Sequence, residues 1–290
     1  MTRLIHLTDL HLSSLDACRL RDLRGKRWTG YVSWARKRRE RHRREVLDGL
    51  AAAVRDEAAD ALLVSGDLVQ IGLETEIREA AAWLAELAPA ERILFVPGNH
   101  DVYAHDSWAS IRRHWQPWLP VAAETPAAGY PILRDAGGVT LLGASSACVT
   151  APFSARGALG AGQFERVAAA LRSARDAGRL TCLVIHHPPL RGMAAWRKSL
   201  REVVALQSLI ASTRPALVVC GHLHRNAAFR KGATRVFATA SASSVQDASY
   251  RVFDLDHRAG GWQVRMQLKS AAPGTRNWLK CAEENWSIPD

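Results

Sequence analysis

The sequence RILFVPGNHD, residues 92–101, places a short apolar run directly before Gly98, Asn99, His100 and Asp101. A run of this length and composition, bounded by turn residues, predicts a buried strand. Four more apolar runs end in polar residues in the same way: LIHL before Thr8–His11, ALLVS before Gly66-Asp67, TCLVI before His186–Pro189 and ALVVC before Gly221–His224. Because the carboxyl ends of strands border the ligand crevice of an open α/β sheet, we expect five polar loops at one site.

Helical patterns of ten or more residues separate these runs, and the alternation predicts an α/β fold with buried sheets. The helices are expected around residues 43–57, 74–87, 162–177 and 200–211. Residues 235–242, 251–255 and 262–266 read as closing strands of a second, more antiparallel sheet. We expect one domain over residues 1–270 and a C-terminal tail, residues 271–290, without a predicted structure.

Composition narrows the class of protein. The 290 residues are 48% hydrophobic and 23% charged, which argues against disorder, collagen and coiled coil. No apolar run approaches the roughly 18 residues of a membrane span, and the first residues read as a strand rather than a signal peptide. Five cysteines without CxxC spacing fit a reducing compartment, so a cytoplasmic location is expected.

The polar loops carry metal-ligand chemistry. Asp9 and His11 are two positions apart at a strand end, where alternate side chains point to the same side, and His222 and His224 repeat that spacing. The complete set offers three oxygen and four imidazole donors, from Asp9, His11, Asp67, Asn99, His186, His222 and His224. Mixed nitrogen and oxygen ligation without cysteine suits Mn²⁺, Fe or Zn²⁺. Two such ions about 3.5 to 4 Å apart would fit hydrolysis at phosphorus.

In this order, the motifs DxH, GD, GNHD, HHPP and GHLH resemble the calcineurin-like metallophosphoesterase superfamily over residues 9–224. The resemblance implies a four-layer α/β/β/α sandwich of two mixed sheets flanked by helices, with two metal ions at the strand ends. It implies one ion between Asp9, His11, Asp67 and His224. The other ion would lie between Asp67, Asn99, His186 and His222, so that Asp67 bridges both.

The same resemblance suggests further roles. In HHPP it favours His186 as the ligand over His187, and it makes His100 a general acid or charge stabiliser at the leaving group. Asp101 would either orient His100 or cap a helix. The compact GNHD, HHPP and GHLH forms are most similar to class III cyclic nucleotide phosphodiesterases and their bacterial relatives. This implies a phosphate-ester substrate attacked by a metal-bridging hydroxide.

The positive charge is concentrated in one segment. Residues Arg19–Arg44 carry +10 of the net +11, and Trp28, Tyr31 and Trp34 are interleaved with the cations. This segment lies in an insertion over about residues 13–44. Either it is a solvated charged face, or it docks an anionic surface beside the metal site. A lipid surface is favoured over nucleic acid, and Trp28 and Trp34 are expected outside the core.

Several functions remain compatible with these motifs. A phosphodiesterase leads. The alternatives are a membrane-surface hydrolase of a lipid-linked phosphate or pyrophosphate, similar to the UDP-diacylglucosamine hydrolases, and a nuclease, for which the basic charge is too localised to follow a long duplex. A non-enzymatic alternative is a scaffold that keeps the fold and has lost catalysis. Such a protein should lack metal-ligating residues, and this sequence retains them.

Overall fold

The computed structural model describes residues 1–39, 44–271 and 277–289. Part of the basic segment, residues 40–43, and part of the C-terminal tail, residues 272–276, lie outside this description. Within the described residues, the first sheet has the strand order β12-β11-β10-β1-β2-β3. Its strands are β1 Thr2–Leu7, β2 Ala61–Val64, β3 Ile93–Phe95, β10 Ser249–Arg258, β11 Gly261–Ala271 and β12 Trp278–Ile288. The β1, β2 and β3 strands run parallel, and the others pair antiparallel, so the sheet is mixed.

The second sheet has the order β4-β5-β6-β7-β9-β8. Its strands are β4 Ile132–Ala136, β5 Val139–Ala144, β6 Leu180–Ile185, β7 Leu217–Cys220, β8 Ala227–Lys231 and β9 Thr234–Ala238. The central strands β5, β6, β7 and β9 are parallel, and β4 and β8 close the two edges antiparallel. This second sheet is therefore also mixed.

The described residues form helices α1 Lys26–Ser33, α2 Arg44–Asp56, α3 Glu74–Leu87, α4 Ser107–His114, α5 Ala161–Asp176 and α6 Val203–Thr213. All but α1, which lies in the insertion, cover the outer faces of the sheets. The α2, α3 and α4 helices pack on the first sheet, whereas α5 and α6 pack on the second. A third apolar core fills the space between the sheets. The expected four-layer α/β/β/α arrangement is confirmed.

Alternation along the strands explains the layers. Leu4 of β1 packs between the two sheets, whereas its neighbour Ile5 faces the helices. On β6, Cys182 and Leu183 divide in the same way between the inner core and the α5 and α6 side. Successive strand residues point to opposite faces, so strands covered on both sides read as continuous apolar runs.

The prediction for the closing strands was wrong in its grouping. Residues 234–238 form β9, which is parallel to β7 in the second sheet. The β10 and β11 strands instead extend the first sheet, because β10 pairs antiparallel with β1. The tail adds β12, which pairs with β11 from Trp262↔Ile288 to Ala271↔Trp278. Strand periodicity predicts a strand but not its partner, which depends on contacts distant in sequence.

The insertion docks against the protein, contrary to the expectation for Trp34. After α1, a π-helix runs over Trp34–Arg38. Trp34 is only 3% exposed and packs with Leu15, Ile71 and Tyr103, whereas Trp28 is 51% exposed as predicted. Flanking charges misled the prediction, because the cations of a helix can lie on one face while an aromatic ring on another is buried.

Within the described part of the chain, no helix combines the length and the apolar character needed to cross a bilayer. Each of the five cysteines is a free thiol, and Cys182 and Cys220 are fully buried.

Candidate metal centre

Five loops meet at the carboxyl ends of β1, β2, β3, β6 and β7. Their backbones are hydrogen-bonded to one another. The Asp9 amide donates to the Gly66 carbonyl at 2.9 Å, and the His11 amide donates to the Asp67 carbonyl at 3.0 Å. Across the two sheets, the His222 amide donates to Asp9 Oδ2 at 2.9 Å. The convergence that the sequence predicted is therefore present.

An unusual backbone conformation marks the site. Five of its residues, Asp9, His11, Asp67, His222 and His224, have φ between 42° and 68°. Left-handed φ is uncommon for residues with a side chain, and it clusters where a site over-determines the backbone. In DxH and GHxH, this conformation turns both polar side chains toward the crevice.

One group of side chains has the composition expected for the first ion. Asp9, His11, Asp67 and His224 present ligand atoms that all lie within 4.8 Å of one another. The Nε2 atoms of His11 and His224 face each other at 3.4 Å. The Nδ1 atom of His11 lies 3.0 Å from the Val69 carbonyl, which is the outer hydrogen bond that orients metal-binding imidazoles.

A second group lies on the other side of Asp67. His186 Nε2 is 3.3 Å from Asp67 Oδ2 and 3.3 Å from Asn99 Oδ1, while its Nδ1 contacts the Ser65 carbonyl at 2.6 Å. The His222 ring lies 5.1 Å from that of His186 between centroids. Asp67 therefore lies between the two groups, as a bridging ligand must.

His187 also lies beside this second group, and its ligand atoms are close to those of His186 and His222. However, its Nδ1 is 2.8 Å from Ser146 Oγ and its Nε2 is 3.2 Å from the Ala155 carbonyl. Both ring nitrogens are engaged by the protein, so His187 supports the neighbouring rings, and His186 is the better candidate ligand.

The residues present fit a pair of metal ions. The Nε2 atom of His222 is buried and has no hydrogen-bond partner among the described residues, although buried polar atoms are rarely left unsatisfied. Together with two imidazole nitrogens facing each other in the first group, this atom calls for a cation. Oxygen and nitrogen donors without thiolates suit Mn²⁺, Fe or Zn²⁺.

Charge is balanced within the site. Burial alone would raise the pKa of Asp67, but the charge of His186 and its hydrogen bond to the carboxylate act against burial, and that pKa is lowered. On His186, burial alone would lower the pKa. The neighbouring Asp67 carboxylate outweighs burial and raises the pKa of His186 to about 9. The pKa of Asp9 is held well below its ordinary value because His224 outweighs burial. Two carboxylates thus stay ionised in a buried position.

His100 lies over the first group. Its ring is 5.0 Å from that of His11, and its backbone amide donates to Asp67 Oδ1 at 2.7 Å. Nδ1 hydrogen-bonds to the Gln70 carbonyl at 2.5 Å, which leaves Nε2 as the nitrogen that can serve a substrate. Burial lowers the pKa of this ring to about 4.

The partners of Asp101 match neither of the two roles that the sequence suggested. Its carboxylate accepts hydrogen bonds from the backbone amides of Asp67, Leu68 and Gly98 at 2.8 to 2.9 Å, with a longer one from Val69. Among the described residues, no hydrogen bond joins Asp101 to His100. Asp101 therefore joins the GD loop to the GNHD loop and holds Asp67 beside Asn99.

Two residues of the basic segment lie at the site although the sequence did not predict them there. Arg38 and Lys26 turn toward the site: Arg38 Nη1 lies 3.2 Å from His100 Nε2, and Lys26 Nζ lies 4.4 Å from the centroid of the Tyr103 ring, which stacks on His100. Their spacing within a run of cations carries no signal that separates them from the exposed Arg24 or Arg36.

The chain matches the family model described as calcineurin-like phosphoesterase over residues 2–226. No curated protein matches the sequence. Among solved structures, it resembles a dimetal phosphatase from Danio rerio with 15% identity and a TM-score of 0.63, covering 99% of this chain and 98% of that one.

Two other structures share the fold over longer chains. The purple acid phosphatase PPD1 from yellow lupin (Lupinus luteus) seeds has 12% identity and a TM-score of 0.63, covering 99% of this chain and 53% of that one. A putative 5'-nucleotidase from Staphylococcus aureus has 12% identity and a TM-score of 0.51, covering 88% and 51%. The chain thus spans about half the length of these two proteins.

Proposed function

Because the chain belongs to the calcineurin-like phosphoesterase family, we propose that it is a dinuclear-metal phosphohydrolase acting on phosphodiesters. The observation that carries this proposal is the position of Asp67 between two groups of ligand atoms. Metal-dependent phosphoester chemistry follows from the family. The diester preference is our proposal, and it rests on the compact GNHD, HHPP and GHLH loops.

We assign Asp9, His11, Asp67 and His224 to one ion and Asp67, Asn99, His186 and His222 to the other. When bound, two such ions activate water and stabilise the attacking and leaving oxygens of a displacement at phosphorus. The protein's own contribution is to fix these side chains through their outer hydrogen bonds, such as His186 to the Ser65 carbonyl.

His100 is our candidate for the leaving-group side. The Gln70 carbonyl holds its Nδ1, so Nε2 is oriented for the substrate. In that position, an imidazole stabilises negative charge on the departing oxygen by donating a hydrogen bond or a proton. Burial lowers the pKa of this ring, and the charge of an anionic substrate would act in the opposite direction.

The test is a substrate panel on protein reconstituted separately with Mn²⁺, Fe or Zn²⁺. The panel compares bis(p-nitrophenyl) phosphate, p-nitrophenyl phosphate, cyclic nucleotides and a UDP-sugar lipid. We expect diester turnover that is lost in Asp67→Ala and kept in the matched surface variant Asp176→Asn. Faster turnover of the monoester would overturn the diester preference, and equal activity of Asp67→Ala would overturn the site.

A membrane-surface hydrolase of a lipid-linked substrate is the second candidate. It is supported by the outer side of the insertion, where Arg19, Arg21, Arg24 and Trp28 are all exposed. At roughly 1 kcal/mol per basic residue near an anionic membrane, three arginines suffice for measurable binding that weakens with salt.

Co-sedimentation with anionic and neutral vesicles tests this candidate. We expect anionic vesicles to retain the wild type and to lose the variant in which Arg19, Arg21 and Arg24 are changed to Gln. Equal recovery of both proteins would discard the lipid surface. Salt-sensitive binding to a single-stranded oligonucleotide instead would support the nuclease. We also propose a cytoplasmic location, supported by five free thiols.

A further inference from the structure

The insertion brings two cations to the rim of the candidate metal centre. The Arg38 guanidinium lies against the His100 ring, with Nη1 at 3.2 Å from Nε2 and 3.3 Å from Nδ1. Nearly equal distances to both ring nitrogens place Nη1 over the face of the imidazole rather than on one lone pair. Lys26 Nζ lies over the Tyr103 ring, which stacks on His100 with centroids 5.6 Å apart. Both cations thus adjoin the same pair of rings.

Neither cation has an acidic partner within the described residues. Lys26 Nζ contacts Thr150 Oγ1 at 2.7 Å and the Ser154 carbonyl at 3.4 Å. Arg38 donates from Nη2 to the Gly30 carbonyl at 3.3 Å, and its buried Nε has no hydrogen-bond partner in the described part of the chain. A cation removed from water without a counter-ion is costly, so this pair lacks an anion.

The surroundings show where that anion would lie. Burial lowers the pKa of both Lys26 and Arg38, and the Asp67 carboxylate acts in the opposite direction on both. Within the described part of the chain, neither cation forms an ion pair with that carboxylate. Their position beside His100 puts them on the side that the proposed function assigns to the leaving group.

We propose that Lys26 and Arg38 form an anion site for a phosphate carried by the leaving group, so that the preferred substrates are phosphoanhydrides. This inference rests on the proposed function and narrows its substrate class. A simple alcohol or nitrophenolate leaving group would place no charge opposite these cations beyond the departing oxygen. A second phosphate would supply oxygens for the guanidinium and the ammonium.

The reaction would be hydrolysis of a P–O–P linkage. The oxygen of water bonds to one phosphorus, and the bond from that phosphorus to the bridging oxygen breaks with its electron pair remaining on the departing phosphate. The two protons of water pass to the phosphate products and to solvent. No oxidant or other co-reactant is needed. Arg38 would stabilise the charge that builds up on the departing phosphate.

Binding of imidodiphosphate, a pyrophosphate analogue with a nitrogen bridge, tests the anion site without turnover. We expect the metal-loaded protein to bind it more tightly than inorganic phosphate. Arg38→Gln and Lys26→Gln should each weaken that binding by about tenfold or more, which is the loss expected for one charge-assisted hydrogen bond. The exposed Arg36→Gln, two residues from Arg38, is the matched control and should bind as the wild type does. Equal affinity of all four proteins would overturn the site.

Activity on two substrates distinguishes a role of Arg38 at the leaving group from a general role in catalysis. We compare kcat/KM for a nucleoside diphosphate ester with that for bis(p-nitrophenyl) phosphate. Arg38→Gln should lose about tenfold or more on the phosphoanhydride relative to its loss on the diester, and Arg38→Lys should recover part of that difference. An equal loss on both substrates would overturn the leaving-group assignment.

Two outcomes distinguish this inference from the proposed function. A wild type that cleaves simple diesters but no phosphoanhydride would overturn the inference and leave the proposed function intact. A wild type that cleaves no phosphoester with any of the three metals would overturn the proposed function, while tight imidodiphosphate binding that depends on Arg38 would still support the anion site.

Discussion

Arg27 contributes to fixing the insertion at the rim of the site. Its guanidinium donates to the Ile71 carbonyl at 3.1 Å and to the Gly72 carbonyl at 2.8 Å, and it also reaches Asp106 at 2.8 Å. The Asp106 side chain is 70% exposed, so this ion pair contributes little. The two buried carbonyls are the stronger part of the contact. Arg27 therefore connects α1 to the loop that follows Asp67.

Arg27→Met preserves the length of the side chain and removes every donor. Each buried acceptor that loses its partner costs about 1 to 3 kcal/mol, and part of this is offset because a guanidinium is no longer buried. We therefore expect the stability against unfolding to fall by about 2 to 4 kcal/mol. The docked insertion should be the first part of the protein to lose stability. Amide hydrogen exchange in α1, together with urea unfolding, measures both the local and the global effect.

Arg24→Met is the matched control, because Arg24 is exposed and lies on the same segment. It should leave exchange in α1 and the urea midpoint close to those of the wild type. If Arg27→Met exchanges its α1 amides at the wild-type rate and unfolds at the same urea concentration, the carbonyl contacts do not hold the insertion.

Three further changes probe the metal centre. Asp67→Ala should remove both ions, which metal analysis after gel filtration measures, and retention of two ions would contradict the bridging role. His100→Asn should keep its metal content and lose about 10² to 10⁴ in kcat, with a smaller loss for nitrophenolate leaving groups; an equal loss for all leaving groups would argue against an acid. Gly98→Ala would place a Cβ on the Asp67 carboxylate, so it should lower metal affinity, whereas Gly162→Ala, where a Cβ meets only the end of Arg166 at 3.5 Å, should not.

Local pattern was sufficient for the α/β class and the polar loops, whereas the four layers were implied by the resemblance to the family. The α3 helix has the predicted bounds Glu74–Leu87, and the run TCLVI lies within β6. The partners of β10 and the burial of Trp34 were not predictable in this way. Both depend on contacts between segments far apart in the chain, such as Leu4↔Phe253 and the packing of Trp34 with Ile71.

For Asp101 as well, the sequence indicated the chemistry of the side chain but not the position that it takes in the fold. Its position in GNHD indicated a polar function beside His100, but only the folded chain shows that its carboxylate reaches the amides of Asp67 and Leu68. A short polar side chain can satisfy neighbouring backbone groups or distant ones, and sequence spacing reports only the former.

The candidate metal centre and the insertion meet at the loop that follows Asp67, and also where Arg38 lies against His100. Asp67 begins that loop, the Gln70 carbonyl orients His100, and the Ile71 carbonyl accepts the hydrogen bond that fixes α1. The side chains nearest the metals come from strand ends that the two sheets hold in place. The cations beside His100 come from an insertion that is attached to the same loop by Arg27. Under the anion-site proposal, a change in the insertion would alter which leaving group is accepted, because Arg38 lies against His100 and Arg27 attaches the insertion to the loop after Asp67.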